Sequence, residues 1–162
     1  MILGVWISFF LTQPFACIAQ NSATIISTIY SPDASIRVEL MQKDENIFYR
    51  VYKDEQLVVS DSKLGISFSF TNFTKLEYVD KVSREIDETY TLPSGKMSEY
   101  HNRCNEQEVA FTTLLGSSIK IVFRVFNEGF AYRYQVDGKE SGSLRQELSE
   151  VAVNDFKIAW SQ

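Results

Sequence analysis

Beyond its apolar start the chain alternates apolar and polar side chains almost to its end. A period of two is the pattern of half-buried strands, not of helices. Ser31-Pro32-Asp33 reads as a turn into Ile36-Arg37-Val38-Glu39-Leu40, which alternates cleanly. Lys43-Asp44-Glu45-Asn46 is a second turn, and residues 47–52 return from it. Pairing Lys43 with Asn46 sets Leu40 opposite Tyr49 and Val38 opposite Val51, apolar on apolar. Lys53-Asp54-Glu55-Gln56 turns again into Leu57-Val58-Val59, so the domain is predicted to open on a three-stranded meander.

Residues 64–70 read as a further strand, and residues 75–82 follow with looser alternation. Pro93-Ser94-Gly95 interrupts residues 87–100 as a turn. Residues 106–115 resume the pattern, and Gly116-Ser117-Ser118 leads into FRVFNEGFAYRY, residues 123–134. A two-residue turn at Glu128-Gly129, with glycine at positive φ, pairs Asn127 with Phe130. That register puts Val125 against Tyr132 and Phe123 against Tyr134 on a core face. The opposite face then sets Arg124 against Arg133, and like charges placed across a ladder repel. Either water screens them, or Glu106, Glu108 or another domain completes the charge. Residues 144–151 have room for a helical turn or two. There is no long helix and no Gly- or Ser-rich linker. The expected fold is all-β, an antiparallel β-sandwich.

Composition agrees, since 12 Phe and 8 Tyr suit pleated sheets. At 162 residues and 44% apolar the chain can build one core. A net charge of −5 with no basic stripe excludes nucleic acid as a partner. No charged side chain precedes Asp33, and residues 1–19, MILGVWISFFLTQPFACIA, end on small residues before Gln20. They read as a secretory signal peptide, which predicts a periplasmic or secreted product with no membrane attachment after cleavage. The alternatives are a lipoprotein acylated at Cys17 and a membrane anchor. Pro14 and its polar neighbours count against an anchor, which needs about 20 apolar residues.

Cleavage leaves Cys104 as the one thiol, so no internal disulfide forms. With His101 the single histidine, a zinc site of the usual composition is excluded. A Cys104–His101 nucleophilic pair stands against the plainer reading of a small residue packed in a strand. Asp87-Glu88 and Asp54-Glu55 are acidic pairs, but neighbours on a strand point to opposite faces. Asn72-Phe73-Thr74 is a glycosylation sequon. No phosphate loop, paired-carboxylate motif or Ser/His/Asp set is present.

Several segments, taken in order, resemble the N-terminal domain of glycoside hydrolase family 97, secreted α-glucosidases and α-galactosidases of Bacteroidetes. They are Ser31-Pro32-Asp33 with Ile36-Arg37-Val38, then Tyr49-Arg50-Val51-Tyr52 through Leu64-Gly65. Val79-Asp80 to Glu88-Thr89-Tyr90 with Gly95 follows, and Asn102-Arg103-Cys104-Asn105-Glu106 matches the family's Asn-x-x-Asn-Glu stretch. The hairpin of residues 123–134 matches almost throughout. Cys104, His101 and Ser94 depart from the family pattern. The resemblance implies an incomplete galactose-mutarotase-like sandwich over residues 20–162, supporting a catalytic (β/α)8 barrel and able to contact carbohydrate. It makes Asn102, Asn105, Glu106, Arg124 and Arg133 candidates for a domain interface or a substrate-side surface. It also implies calcium in the full-length enzyme, with catalytic and metal residues beyond Gln162, so this chain is expected to be an inactive fragment without cofactor. The alternative is a free-standing secreted carbohydrate-binding or adhesion sandwich.

Overall fold

The computed structural model describes residues 23–91, 99–136 and 142–154; the signal-like start, the Pro93-Ser94-Gly95 turn and the alternating residues 155–160 lie outside them. Every regular element among the described residues is a strand. β1 (Thr24–Tyr30), β2 (Ile36–Lys43), β3 (Asn46–Lys53) and β4 (Gln56–Leu64) form an antiparallel meander in that order. The β2–β3 register is the expected one, with Lys43 on Asn46, Leu40 on Tyr49 and Val38 on Val51. Both tight turns use consecutive residues at positive φ, Asp44 and Glu45 at 50° and 63°, Asp54 and Glu55 at 48° and 63°. That is the type I′ signature, whose twist matches the flanking strands. β1 is a fourth strand that alternation does not reveal, because a bulge between Ile25 and Ser27 resets its register.

The expected strand over residues 64–70 is split at Gly65. β5 (Ile66–Phe68) begins beyond it and pairs with β6 (Asn72–Phe73). A Cβ at Gly65 would come within 3.3 Å of Thr74 Cγ2, so the kink is tightly enclosed. The stretch with room for a helical turn is instead β11 (Leu144–Glu147), paired with β5. Leu148 and Glu150 N–H groups then donate to the carbonyls of Gly65 and Lys63, both at 2.8 Å. A bridge between Val59 and Val153 carries this tail along β4. A neighbouring edge with free carbonyls outweighs the weak helical pattern.

A second four-stranded sheet runs β10-β9-β8-β7, from β7 (Glu77–Thr91), β8 (Glu99–Thr112), β9 (Ser118–Val125) and β10 (Phe130–Val136). Its inner face brings Val109, Phe111, Ile121, Phe123 and Val125 against Val38, Leu40, Ile47, Tyr49 and Val51, all buried. Tyr49 sits at the centre, its ring 6.5 Å from Phe123 and 5.7 Å from both Phe130 and Tyr132. The all-β antiparallel sandwich is therefore as the sequence predicts. β7 and β8 form one long ribbon, and β8 meets β9 only from Asn105 onward. Beyond that point the ribbon is two-stranded among the described residues.

The β9–β10 hairpin differs from its expected register. Phe130 faces Val125, Tyr132 faces Phe123 and Tyr134 faces Ile121, a slip of two residues. Phe126, Asn127, Glu128 and Gly129 form a four-residue loop closed by the Phe126 N–H donating to the Gly129 carbonyl at 2.8 Å. Gly129 is not among the residues at positive φ. The wider loop frees Asn127 Oδ1 to accept the Asp33 N–H at 3.1 Å, pinning the tip to the Ser31-Pro32-Asp33 turn. Because the slip is by two, each side chain keeps its face. Arg124 now stands opposite Ala131 and Arg133 opposite Val122, so the two cations are no longer directly opposed.

Candidate functional site

Alternation along β8 sends Val109 and Phe111 into the core and turns Asn102, Cys104, Glu106 and Glu108 to the outward face. Glu106 is flanked there by Arg84 on β7 and Arg124 on β9, its cross-strand partners. Arg84 Nε donates to one carboxylate oxygen at 2.6 Å and Arg124 Nε to the other at 2.5 Å. The Glu106 side chain has no exposed surface, although its sheet face looks away from the core. Burial pushes its carboxyl pKa up, but the donors from Arg124 and Arg84 outweigh burial and hold it below its usual range. Arg84 also reaches Glu108 at 2.9 Å, which takes Lys120 at 3.2 Å. Charges of alternating sign thus cross three strands, from Lys120 through Glu108, Arg84 and Glu106 to Arg124.

The candidate residues separate into groups. Glu106 and Arg124 are joined directly. Arg133 lies on the same face, exposed and without a side-chain partner among the described residues. A shallow concavity of about 100 Å³, lined by Val122, Arg124, Ala131, Tyr132 and Arg133, runs between the two arginines. Asn102 sits farther out on the ribbon, donating to Glu88 at 2.8 Å. It borders a separate hollow of about 280 Å³ with His101, Arg103, Phe126, Asn127 and Glu128. Asn105 belongs to the opposite face of β8, where its Nδ2 donates to the Tyr30 carbonyl at 2.8 Å. The five do not form one cluster.

Nucleophilic chemistry finds no support in this geometry. Cys104 is buried, and burial raises its thiol pKa. His101 lies on the other face of β8 and contacts Asp87 at 2.6 Å, so the Cys104–His101 pair does not form. Asp87 and Glu88 face Arg103 and Asn102 on opposite sides of the ribbon. Asp54 and Glu55 are turn residues. Among the described residues no three His, Cys, Asp or Glu side chains gather into a metal-binding group. Sequence reasoning missed Arg84, because charges on both faces of β7 hide its alternation.

A family model described as Glycosyl-hydrolase 97 N-terminal matches residues 29–162. No curated protein matches the chain. Among solved structures, a glycoside hydrolase family 97 enzyme from Pseudoalteromonas sp. strain K8 is similar at a TM-score of 0.73 and 24% identity, both in its complex with panose and in its complex with acarbose. The match covers 80% of this chain and 20% of that one. A β-arabinopyranosidase crystal structure is similar at a TM-score of 0.75 and 22% identity, over 83% of this chain and 24% of the other. The likeness to these structures is one of fold, and the chain spans about a fifth to a quarter of their length.

Proposed function

Because the chain belongs to the glycosyl-hydrolase 97 N-terminal family, we propose that it is the non-catalytic β-sandwich of a glycoside hydrolase acting on α-glycosides. In this reading it supports a catalytic (β/α)8 barrel and contacts that barrel, or carbohydrate held by it, through the outward face of the β7–β10 sheet. The observation that carries the reading is Glu106, a carboxylate without exposed surface on a face that points away from the core. Desolvating a carboxylate costs several kcal/mol unless donors recover it. Arg84 and Arg124 supply those donors, and Arg124 is thereby fixed beside the open guanidinium of Arg133. Two positioned cations around a small apolar floor suit a partner surface that brings its own acids.

Among the described residues no three His, Cys, Asp or Glu side chains gather to hold the calcium that the family resemblance implies. The apolar start, read as a secretory signal, would place the protein in the periplasm or outside the cell.

An intact family 97 enzyme tests the docking face. Replacing the arginines that superpose on Arg124 and Arg133 with alanine should lower both its melting temperature and its turnover of an aryl α-glucoside. An unchanged melting curve and unchanged turnover would return this face to solvent. The chain alone should not hydrolyse the same substrate; clear turnover would overturn the non-catalytic assignment.

A further inference from the structure

Where β1 ends, the meander and the β7–β8 ribbon diverge and leave a cleft of about 360 Å³ between them. Tyr30 stands on the meander side, 45% exposed. Ser83, Glu85 and Asn105 stand on the ribbon side and share one face, since Ser83 pairs with Gln107 and Glu85 with Asn105 in the ladder. The Asn105 Nδ2 bond to the Tyr30 carbonyl ties the two walls together at 2.8 Å. On the ribbon, Gln107 Nε2 donates to Ser83 Oγ at 2.7 Å, and Gln107 Oε1 accepts from the buried Ser27 hydroxyl. The floor is therefore held rigidly by bonds that cross from one sheet to the other.

Those bonds leave a particular set of groups unspent. Ser83 has used its oxygen as an acceptor and keeps its proton to donate. Asn105 has used one amide N–H and keeps the other to donate and Oδ1 to accept. The Glu85 carboxylate makes no hydrogen bond or ion pair with a described residue. Tyr30 adds an accessible ring. Arg84, whose guanidinium is held by Glu106 and Glu108, is not free for an anion, and Glu85 would repel one. A single carboxylate does not make a cation site. Donors from Ser83 and Asn105, acceptors from Asn105 and Glu85, and an aromatic face instead complement a neutral pyranose, whose hydroxyls both donate and accept and whose C–H face stacks on a ring.

We infer that the cleft between Tyr30 and Ser83, Glu85 and Asn105 is a saccharide-binding site separate from the outward arginine face; the choice of a sugar rests on the family reading above. Titration of the full chain with maltotriose, followed by isotope-edited NMR, should give saturable shifts at Tyr30, Ser83, Glu85 and Asn105. Tyr30→Ala should weaken binding about tenfold, about the size of one lost ring-stacking contact. Glu85→Gln should weaken it less, and Tyr30→Phe should preserve it. Tyr30 and Glu85 are exposed, so folding of these variants is checked by unchanged far-UV circular dichroism. No saturable shift, or binding that survives Tyr30→Ala and Glu85→Gln unchanged, would overturn the site. Loss of sugar binding with the docking contact intact would remove this inference alone; loss of docking with sugar binding intact would remove only the docking reading.

Discussion

The β7–β8 ribbon has two halves built from similar residues with different outcomes. Its inner half is flanked by β9, and there Glu106 lies covered between two arginines. Its outer half has only the two strands among the described residues. His101 and Asp87 meet there with both side chains 60% exposed, Asn102 bonds Glu88, and Tyr90 stacks on Tyr100 with ring centroids 5.6 Å apart. A third strand converts a surface ion pair into a buried one. The same pairing chemistry without that strand stays in water, where an exposed pair contributes about 1 kcal/mol at most. A bare two-stranded ribbon is marginal by itself.

The largest expected effect breaks the inner half. Arg124→Ala removes one of the two cations from a carboxylate that cannot reach water, and should cost about 2–3 kcal/mol in chemical denaturation. Glu106→Gln should cost less, about 1–2 kcal/mol, because the arginines it releases are partly exposed and can be hydrated. The pH dependence sharpens this. The folded Glu106 carboxyl pKa lies below its unfolded value. Its contribution is therefore complete above the unfolded value of about 4.3 and fades as pH falls through the lower folded one. The gap between wild type and Glu106→Gln should accordingly shrink below about pH 4. On the outer half, Tyr100→Ala should cost about 0.5–1.5 kcal/mol through the lost stack. Asp87→Asn should be smaller still, within about 0.5 kcal/mol. Equal costs in the two halves would remove the distinction between them. Amide exchange offers a check without mutation, since residues 99–104 should exchange faster than residues 105–112.

What could be read beforehand follows from how continuous the alternation is. β2 and β3 alternate up to a two-residue turn, so one pairing sets every other and the register emerges correctly. At β9 and β10 both faces are legible, but Gly129 suggests a tight turn that the chain does not make. Asn127 gains its bond to the Asp33 backbone through the wider loop, and a contact so distant in sequence leaves no trace in alternation. β1 is hidden by its bulge. Of the candidate site, the acid answering Arg124 is legible because Glu106 falls on the matching face. Arg84 is not, since a ribbon open to water on both sides places charge everywhere.

Cys104 lies beside this junction, fully covered, paired with Ile86 across the ladder and two residues from Glu106 on the same face. A thiol in that place reacts with a disulfide reagent only while the strands around it are parted. Its labelling rate therefore serves as an internal clock for transient opening of the sheet. Ligands or partners that clamp the ribbon should slow that clock in proportion to how tightly they hold it.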